Sequence, residues 1–190
     1  MKKIAIFASG EGTNAQNIID YFKNSGIAAV ELIVSNNPNA NVLNRAKNAG
    51  VKTYLIERQA FYESNHLIDH LKNLKIDLIV LAGFLWKVPE ILVKAFPHQI
   101  INIHPALLPK FGGKGMYGMY VHRAVVEAKE KESGISIHFV DANYDEGKLI
   151  AQHRCAISPT DSPESVAQKI HELEMEFFPK EIHKLLVDSN

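Results

Sequence analysis

The stretch IAIFASGEGTNA, Ile4–Ala15, decides the fold. It begins with a continuous apolar run, Ile4–Ala8, which is typical of a strand buried on both faces of a sheet. Two glycines then allow a tight turn, and the next segment, Ala15–Phe22, carries apolar residues at helical spacing. A buried strand, a glycine turn and a helix predict the first unit of a doubly wound α/β sheet.

Apolar runs of strand length continue to alternate with helical segments along the first half of the chain. Strands are predicted at Ala28–Val34, Val51–Ile56, Asp77–Leu81 and Ile100–His104, and helices at Val42–Ala49, His66–Leu74 and Pro89–Ala95. Strands joined through helices make right-handed crossovers, so we expect these strands to be parallel.

The second half of the chain has a different pattern. Pro105–Tyr120 contains two prolines and four glycines, too many for a regular element. A helix is predicted at His122–Lys131, strands at Ile135–Val140 and Leu149–Ala156, and a last helix from Ser162 to about Val187. Only a loop separates the last two strands, so they can pair antiparallel. We therefore expect a Rossmann-like α/β fold with a mostly parallel, mixed sheet of about seven strands and helices on both faces.

The composition is that of one globular domain, expected to span residues 1–190. Apolar residues make up 46% and charged residues 22%, which excludes a disordered chain. Lysine plus arginine (21) balance aspartate plus glutamate (21), which argues against a dedicated nucleic-acid binder. One cysteine, Cys155, excludes an internal disulfide and fits a reducing compartment. With no signal-peptide or membrane-helix pattern, we expect a cytoplasmic protein.

Four loops should lie together beyond the carboxyl ends of the strands, where open parallel sheets bind ligands. They are Ser9–Asn14, Ala82–Trp86, Asn102–Pro105 and Asp141–Gly147. In the first loop, the amides of Gly12, Thr13 and Asn14 at a helix N-terminus favour a bound phosphate. The dinucleotide fingerprint is the rival interpretation, but the second strand ends in Ser35-Asn36-Asn37 and lacks the acid that holds a ribose. A third interpretation, a tight turn that binds no ligand, also remains open.

Asn102 and His104 are two residues apart on a strand, so their side chains face one space. The amide can donate to an oxygen that becomes negative, and the imidazole can handle protons. A nearby Asp145 would raise the pKa of the imidazole. Ser136 and His138 share a strand face and could assist this site or support its loop.

Three other kinds of site are conceivable in this chain: a pocket for a flat ring, a metal site and a hydrolase triad. The apolar loop Ala82–Trp86 could hold a flat heteroaromatic ring, or it could carry core aromatics. The nine histidines are scattered and give no recognisable metal spacing, so no metal site is expected. No Gly-x-Ser-x-Gly elbow is present, which argues against a Ser-His-Asp hydrolase.

These motifs occur together in a known family. The segments SGEGTN (residues 9–14), LAGF (81–84), NIHPALLP (102–109) and SIHFV (136–140), followed by Asp145, stand in the family's order. The chain resembles the folate-dependent formyltransferases, and among them the phosphoribosylglycinamide formyltransferases, also called glycinamide ribonucleotide transformylases. The resemblance covers essentially the whole chain.

The resemblance implies an enzyme of purine biosynthesis that transfers a formyl group from 10-formyltetrahydrofolate to the amine of glycinamide ribonucleotide. It implies small-molecule substrates only, with no metal, nicotinamide, nucleic acid or membrane, and it is compatible with a homodimer. The implied catalytic residues are Asn102, His104 and Asp145, and the implied nucleotide contacts are Gly12, Thr13, Asn14, His171 and Glu174. The implied folate contacts are Leu85, Trp86, Val88, Asn102 and the Val140–Asp145 loop with Val140, Asp141 and Asp145. A nucleotide-binding half would cover about residues 1–100, and a folate-binding, catalytic half about 101–190.

The chain departs from the family pattern at three places. The segment Gly112–Tyr120 is longer than usual, and it could be a lid over the folate or a contact surface. The family often has a basic residue near Ser64, where this chain has Glu63-Ser64-Asn65. After Asp145, Glu146-Gly147-Lys148 replaces a Gly-Pro-type pair.

Relatives with a similar trio supply the alternatives. Methionyl-tRNA formyltransferase and formyltetrahydrofolate deformylase each carry a further domain, for which 190 residues are expected to leave no room. A formyltetrahydrofolate hydrolase-like domain and a non-catalytic nucleotide-binding module remain the alternative functions.

Overall fold

The computed structural model of the chain describes residues 1–141 and 145–188. In this part, seven strands form one sheet in the order β3-β2-β1-β4-β5-β6-β7. The strands are β1 (Lys2–Phe7), β2 (Ala28–Ser35), β3 (Lys52–Leu55), β4 (Leu78–Leu81), β5 (Ile100–His104), β6 (Glu132–Phe139) and β7 (Leu149–Ala156). The strands from β3 to β5 in this order pair parallel with their neighbours, whereas β6 pairs antiparallel with both β5 and β7. The predicted mixed α/β sheet is confirmed.

The described helices are α1 (Thr13–Phe22), α2 (Asn41–Asn48), α3 (Arg58–Glu63), α4 (His66–Asn73), α5 (Glu90–Ala95), α6 (Met119–Glu127) and α7 (Pro163–Asp188). The sequence pattern did not predict α3, because its six residues bury a single side chain, Phe61, and show no helical period. Helix α6 begins at Met119, inside the segment that was expected to be irregular throughout.

The two faces of the sheet bury separate apolar cores, as the alternation along β1 shows. Ile4 and Ile6 pack with α1, α2, α6 and α7 on one face, and Ala5 and Phe7 pack with α3, α4 and α5 on the other. All four side chains are fully buried. Burial on both faces explains why this strand is an unbroken apolar run.

The strand order reverses direction at β1 and β4, and this position creates a crevice. The chain moves from β1 outward to β2 and β3, and then returns to place β4 on the other side of β1. The loops after β1 and β4 therefore diverge around a gap at their carboxyl ends, which is where doubly wound folds bind ligands. Hydrogen bonds join the two loops at Ser9, whose amide donates to Gly83 O (3.0 Å) and whose Oγ accepts from the Leu85 amide (2.9 Å).

Candidate active site

A cleft of about 720 Å³ runs along the carboxyl ends of β1, β4 and β5. Each of the four loops expected to meet contributes residues to its wall. Every residue to which the family resemblance assigns a site role lines this cleft: Gly12, Thr13, Asn14, Leu85, Trp86, Val88, Asn102, His104, Val140, Asp141, Asp145, His171 and Glu174. The structure thus brings the whole predicted set together. Of the Val140–Asp145 loop, residues 142–144 lie outside the described part.

At one end of the cleft, a glycine turn presents the N-terminus of α1. Gly12 has φ +71°, in the left-handed region, and a Cβ at this position would lie 2.5 Å from Val42 Cγ2. Only glycine allows both this turn and the close packing of α2 against it. The first helical bond runs from the Gln16 amide to Gly12 O (2.9 Å), so the amides of Thr13 and Asn14 lie in the first turn, which has no intrahelical acceptors. This geometry suits an anion.

Beside this turn, α1 and α7 hold a carboxylate in the cleft wall. Asn14 Nδ2 donates to Glu174 Oε2 (2.8 Å), and His171 Nδ1 lies 3.7 Å from the same oxygen. The contact with Glu174 raises the pKa of His171 above its ordinary value, against the opposing effect of burial. The pair can therefore present an acceptor and a cation next to the anion site.

At the centre of the cleft, β5 carries Asn102 and His104 on one face, as predicted. His104 is buried, and its Nε2 lies 2.8 Å from Phe111 O, which can only accept a hydrogen bond. Nε2 therefore carries the proton, and Nδ1 is the ring nitrogen that faces Asp145 Oδ2, at 3.6 Å. Asn102 Nδ2 lies 3.5 Å from the other oxygen of Asp145. The amide, the imidazole and the carboxylate thus form one cluster.

Asp145 is held in place by the glycine-rich segment that follows β5. The Gly113 amide donates to Asp145 Oδ2 (2.9 Å), and Asp145 itself has a left-handed backbone with φ 56°. Burial acts to raise the pKa of this carboxyl group, but hydrogen bonds and the neighbouring His104 and His138 outweigh burial and lower it. Asp145 is therefore ionised at neutral pH.

The pKa of His104 differs from the sequence expectation. Asp145 does act to raise it, as expected, but desolvation of the buried ring is the larger effect and brings the pKa below its ordinary value of 6.5. In the protein without ligand, His104 is therefore neutral at pH 7. Its Nδ1 carries a lone pair that can accept a proton, and Asp145 stands ready to stabilise the resulting cation.

The structure separates the roles of Ser136 and His138, which the sequence left open. Ser136 supports the loop after β5: its Oγ donates to Ala106 O (2.7 Å) and accepts from the Leu108 amide (2.9 Å). His138 belongs to the site, because its Nε2 lies 3.1 Å from Asn102 Nδ2 and 3.5 Å from Asp145 Oδ1. Its Nδ1 donates to Phe139 O, which fixes the ring with Nε2 facing the Asn102 amide and Asp145.

The other end of the cleft is apolar and aromatic. Trp86 and Phe84 pack against Phe61 of α3, with ring centroids 5.8 and 5.7 Å from it. The Arg58 guanidinium lies over the Trp86 ring, 5.6 Å from its centroid. Ser64 does not provide a polar contact here, because its hydroxyl donates to Ala60 O at the end of α3. The surroundings of this end suit a flat ring with apolar faces.

The long segment Gly112–Tyr120 forms a side of the cleft. Gly113–Gly118 line it, and the exposed Tyr117 and Tyr120 pack edge to face at its rim (5.4 Å). A Cβ on Gly112 would lie 2.5 Å from Leu108 Cδ2 and 3.4 Å from Asp145 Cβ, so this part of the segment packs directly against the loop after β5 and against Asp145. The position of the segment is compatible with both a lid and a contact surface.

The sequence pattern missed His122, a further histidine of the cleft wall. It lies on the buried face of α6 and is only 6% exposed. Val121 and Val125, the other buried residues of α6, are apolar, so periodicity places His122 in the core and gives no sign of a ligand. Among the described residues, no group of three histidine, cysteine or acidic side chains could hold a metal ion. In the same part of the chain, no helix is long and apolar enough to cross a membrane.

Comparisons with known proteins show the family of the chain. Residues 2–182 match the family described as Formyl transferase. The chain is 38% identical over 175 residues to the chloroplastic phosphoribosylglycinamide formyltransferase of Arabidopsis thaliana, with 89% of this chain and 60% of that protein covered. It is 35% identical over 191 residues to the phosphoribosylglycinamide formyltransferase of Bacillus subtilis, with 98% of this chain and 95% of that protein covered. The chain thus spans about 60% of the length of the plant relatives that it matches.

The solved structures extend the similarity to the fold. The glycinamide ribonucleotide transformylase 1 of Symbiobacterium toebii superposes with a TM-score of 0.89 at 32% identity, covering 99% of this chain and 89% of that chain. The chain therefore belongs to the formyl transferase family.

Proposed function

We propose that this protein transfers a formyl group from 10-formyltetrahydrofolate to the amine of glycinamide ribonucleotide, a step of purine biosynthesis. The observation that carries the proposal is the cluster of Asn102, His104 and ionised Asp145 at the centre of a cleft whose two ends differ. One end is an anion site at a helix N-terminus, and the other is an aromatic pocket. The names of the relatives above, phosphoribosylglycinamide formyltransferase and glycinamide ribonucleotide transformylase, support the nucleotide as the formyl acceptor.

The two ends of the cleft fit the two proposed ligands. The amides of Gly12, Thr13 and Asn14 would bind the ribose phosphate, with Glu174 and His171 beside them on the amine side of the nucleotide. The folate would lie against Trp86, Leu85, Val88, Val140 and Asp141, with backbone groups available for the polar edge of its pterin. Gly113–Gly118 would border the space between the ligands, which is the position required of a lid.

The central cluster supplies what formyl transfer requires of the protein. The folate provides the formyl carbon. When the substrate amine bonds to that carbon, the nitrogen must lose a proton, and His104 Nδ1 can accept it because the resting ring is neutral. Asp145 then stabilises the imidazolium. Asn102 and the new Nδ1–H of His104 hydrogen-bond the formyl oxygen as it becomes negative, because Nε2–H is bonded to Phe111 O. His104 then returns the Nδ1 proton to the folate nitrogen that leaves. One such donor contributes about 3–4 kcal/mol of transition-state stabilisation.

The domain organisation, the oligomeric state and the location are parts of the same proposal. A single domain would divide into a nucleotide-binding half, about residues 1–100, and a folate-binding, catalytic half. A homodimer is part of the proposal, and light scattering of the purified protein tests it. The single cysteine supports a reducing compartment, and we propose the cytoplasm.

A coupled assay of the purified protein with both substrates tests this function. We expect release of tetrahydrofolate that depends on glycinamide ribonucleotide, with one formyl group gained by the nucleotide for each folate produced. Equal folate release without the nucleotide, accompanied by formate, would indicate a hydrolase and contradict the proposal. Binding of the nucleotide without any turnover would indicate a non-catalytic module.

A further inference from the structure

His122 has a buried ring with an unused polar atom. Its Nδ1 is closed off from solvent and has no hydrogen-bond partner among the residues that the structure describes. A buried polar atom without a partner is destabilising, and an apolar side chain, such as those of Val121 and Val125 on the same helix, would fill this position without that penalty. The packing of α6 therefore does not by itself account for a histidine here.

The surroundings of His122 relate it to both halves of the site. The ring lines the cleft between α6 and α7. Burial lowers the pKa of His122, the charge of Glu174 acts to raise it, and His104 acts to lower it. The ring therefore lies within electrostatic reach of the carboxylate beside the nucleotide site and of the histidine at the centre. Because its pKa is lowered, the ring is neutral at pH 7, and its Nε2 can donate or accept a hydrogen bond according to the tautomer.

Glycinamide ribonucleotide has one neutral polar group between its ribose and its reacting amine, the amide of the glycinamide arm. A substrate whose phosphate lies at the turn before α1 and whose amine reaches His104 must carry this amide past the α6–α7 wall. A neutral hydrogen-bonding group matches an amide, whereas a negatively charged group at this place would attract the amine away from the formyl carbon.

We propose that Nε2 of His122, the ring nitrogen that is not closed off, hydrogen-bonds the amide of the glycinamide arm and thereby holds the substrate amine at the formyl carbon. The inference rests on the proposed function and goes beyond it by assigning a further residue that determines specificity. In this assignment, His122 recognises the glycinamide arm, whereas the turn at Gly12 recognises the ribose phosphate.

Isothermal titration calorimetry of His122→Leu with two ligands tests the inference. Glycinamide ribonucleotide contains the amide, and ribose 5-phosphate lacks it. We expect His122→Leu to bind the ribonucleotide about tenfold more weakly and ribose 5-phosphate within twofold of the unmodified protein. We expect its melting temperature to be unchanged or higher, because leucine leaves no polar atom unpaired. His122→Gln, which keeps a donor and an acceptor, should recover most of the affinity.

Controls make each outcome decisive. His66→Ala removes an exposed histidine of α4, far from the cleft lining, and should bind both ligands normally. Equal affinity of His122→Leu and the unmodified protein for the ribonucleotide would overturn the inference, and so would an equal loss for both ligands. Should His122→Leu fail to fold, His122→Phe gives the same contrast with a ring of similar shape. Failure of the unmodified protein to bind the ribonucleotide would refute the proposed function itself.

Discussion

Replacing Gly12 by alanine should destabilise the protein and damage the anion site at the same time. The new Cβ would lie 2.5 Å from Val42 Cγ2, 2.6 Å from Val42 Cβ and 2.9 Å from Val42 Cα. Because the last of these is a backbone atom, side-chain rotation in α2 cannot relieve the clash. The residue would also keep a left-handed backbone, with φ +71°.

The expected magnitude follows from these two effects. A left-handed conformation costs an alanine about 1–2 kcal/mol, and forcing a methyl group into packed surroundings costs about 1–3 kcal/mol. The free energy of unfolding should therefore fall by about 2–5 kcal/mol, which is a large share of the ~5–15 kcal/mol typical of a native protein. If the clash is relieved by moving α1 away from α2, the amides of the turn lose their alignment and affinity for ribose 5-phosphate falls as well.

Gly10→Ala is the matched control, two residues away in the same loop. A Cβ on Gly10 would meet no atom within 4 Å, and its φ is outside the left-handed region. Its free energy of unfolding should change by less than about 1 kcal/mol. Urea unfolding of both variants, followed by circular dichroism, measures the difference. Equal stability of Gly12→Ala and Gly10→Ala would refute the argument that this turn requires glycine.

Three further outcomes are expected. By NMR, His104 should titrate below pH 6.5, and Asp145→Asn should move its pKa lower still, because the negative charge that opposes desolvation is removed. Trp86→Ala should weaken binding of the formyl folate about 10- to 100-fold in calorimetry, because it removes apolar contact that contributes about 1.5–3 kcal/mol to the binding free energy. The affinity for the nucleotide should not change. Ser136→Ala should lower the free energy of unfolding by about 1–3 kcal/mol in urea, because the Leu108 amide and Ala106 carbonyl lose a buried partner.

Each of these outcomes has a clear opposite. A higher pKa for His104 in Asp145→Asn would mean that Asp145 does not act on the ring as a charge. Unchanged folate affinity in Trp86→Ala would place the folate elsewhere. Full stability of Ser136→Ala would show that the loop after β5 is held by other contacts.

Much of the fold could be predicted because strand and helix patterns in this chain are unambiguous. An apolar run such as Ile4–Ala8 has only one stable place, between two layers of helices. Parallel strands then bring their carboxyl ends to one edge, and this geometry alone placed Gly12 near Asn102. The period-two rule placed Asn102 beside His104 before any distance was known.

What the sequence could not give are properties that depend on which elements cover the site. The direction of the His104 pKa shift depends on burial under the Phe111 loop, and local sequence does not report burial of that kind. Helix α3 has no period of its own, so the position of Arg58 over Trp86 follows only from tertiary packing. His122 and His138 reach the cleft because α6 and β6 dock beside β5, and neither has a local signal that separates it from a core residue.

The most direct test of the account is the rate of formyl transfer by Asp145→Asn at saturating concentrations of both substrates. The account predicts a fall of roughly 10²–10³ with glycinamide ribonucleotide affinity within twofold, because Asp145 acts on His104 and Asn102 and not on the phosphate turn. Glu146→Gln, which removes the exposed neighbouring carboxylate, should keep normal turnover. Near-normal turnover by Asp145→Asn would contradict the assignment of Asn102, His104 and Asp145 as the group that performs the transfer.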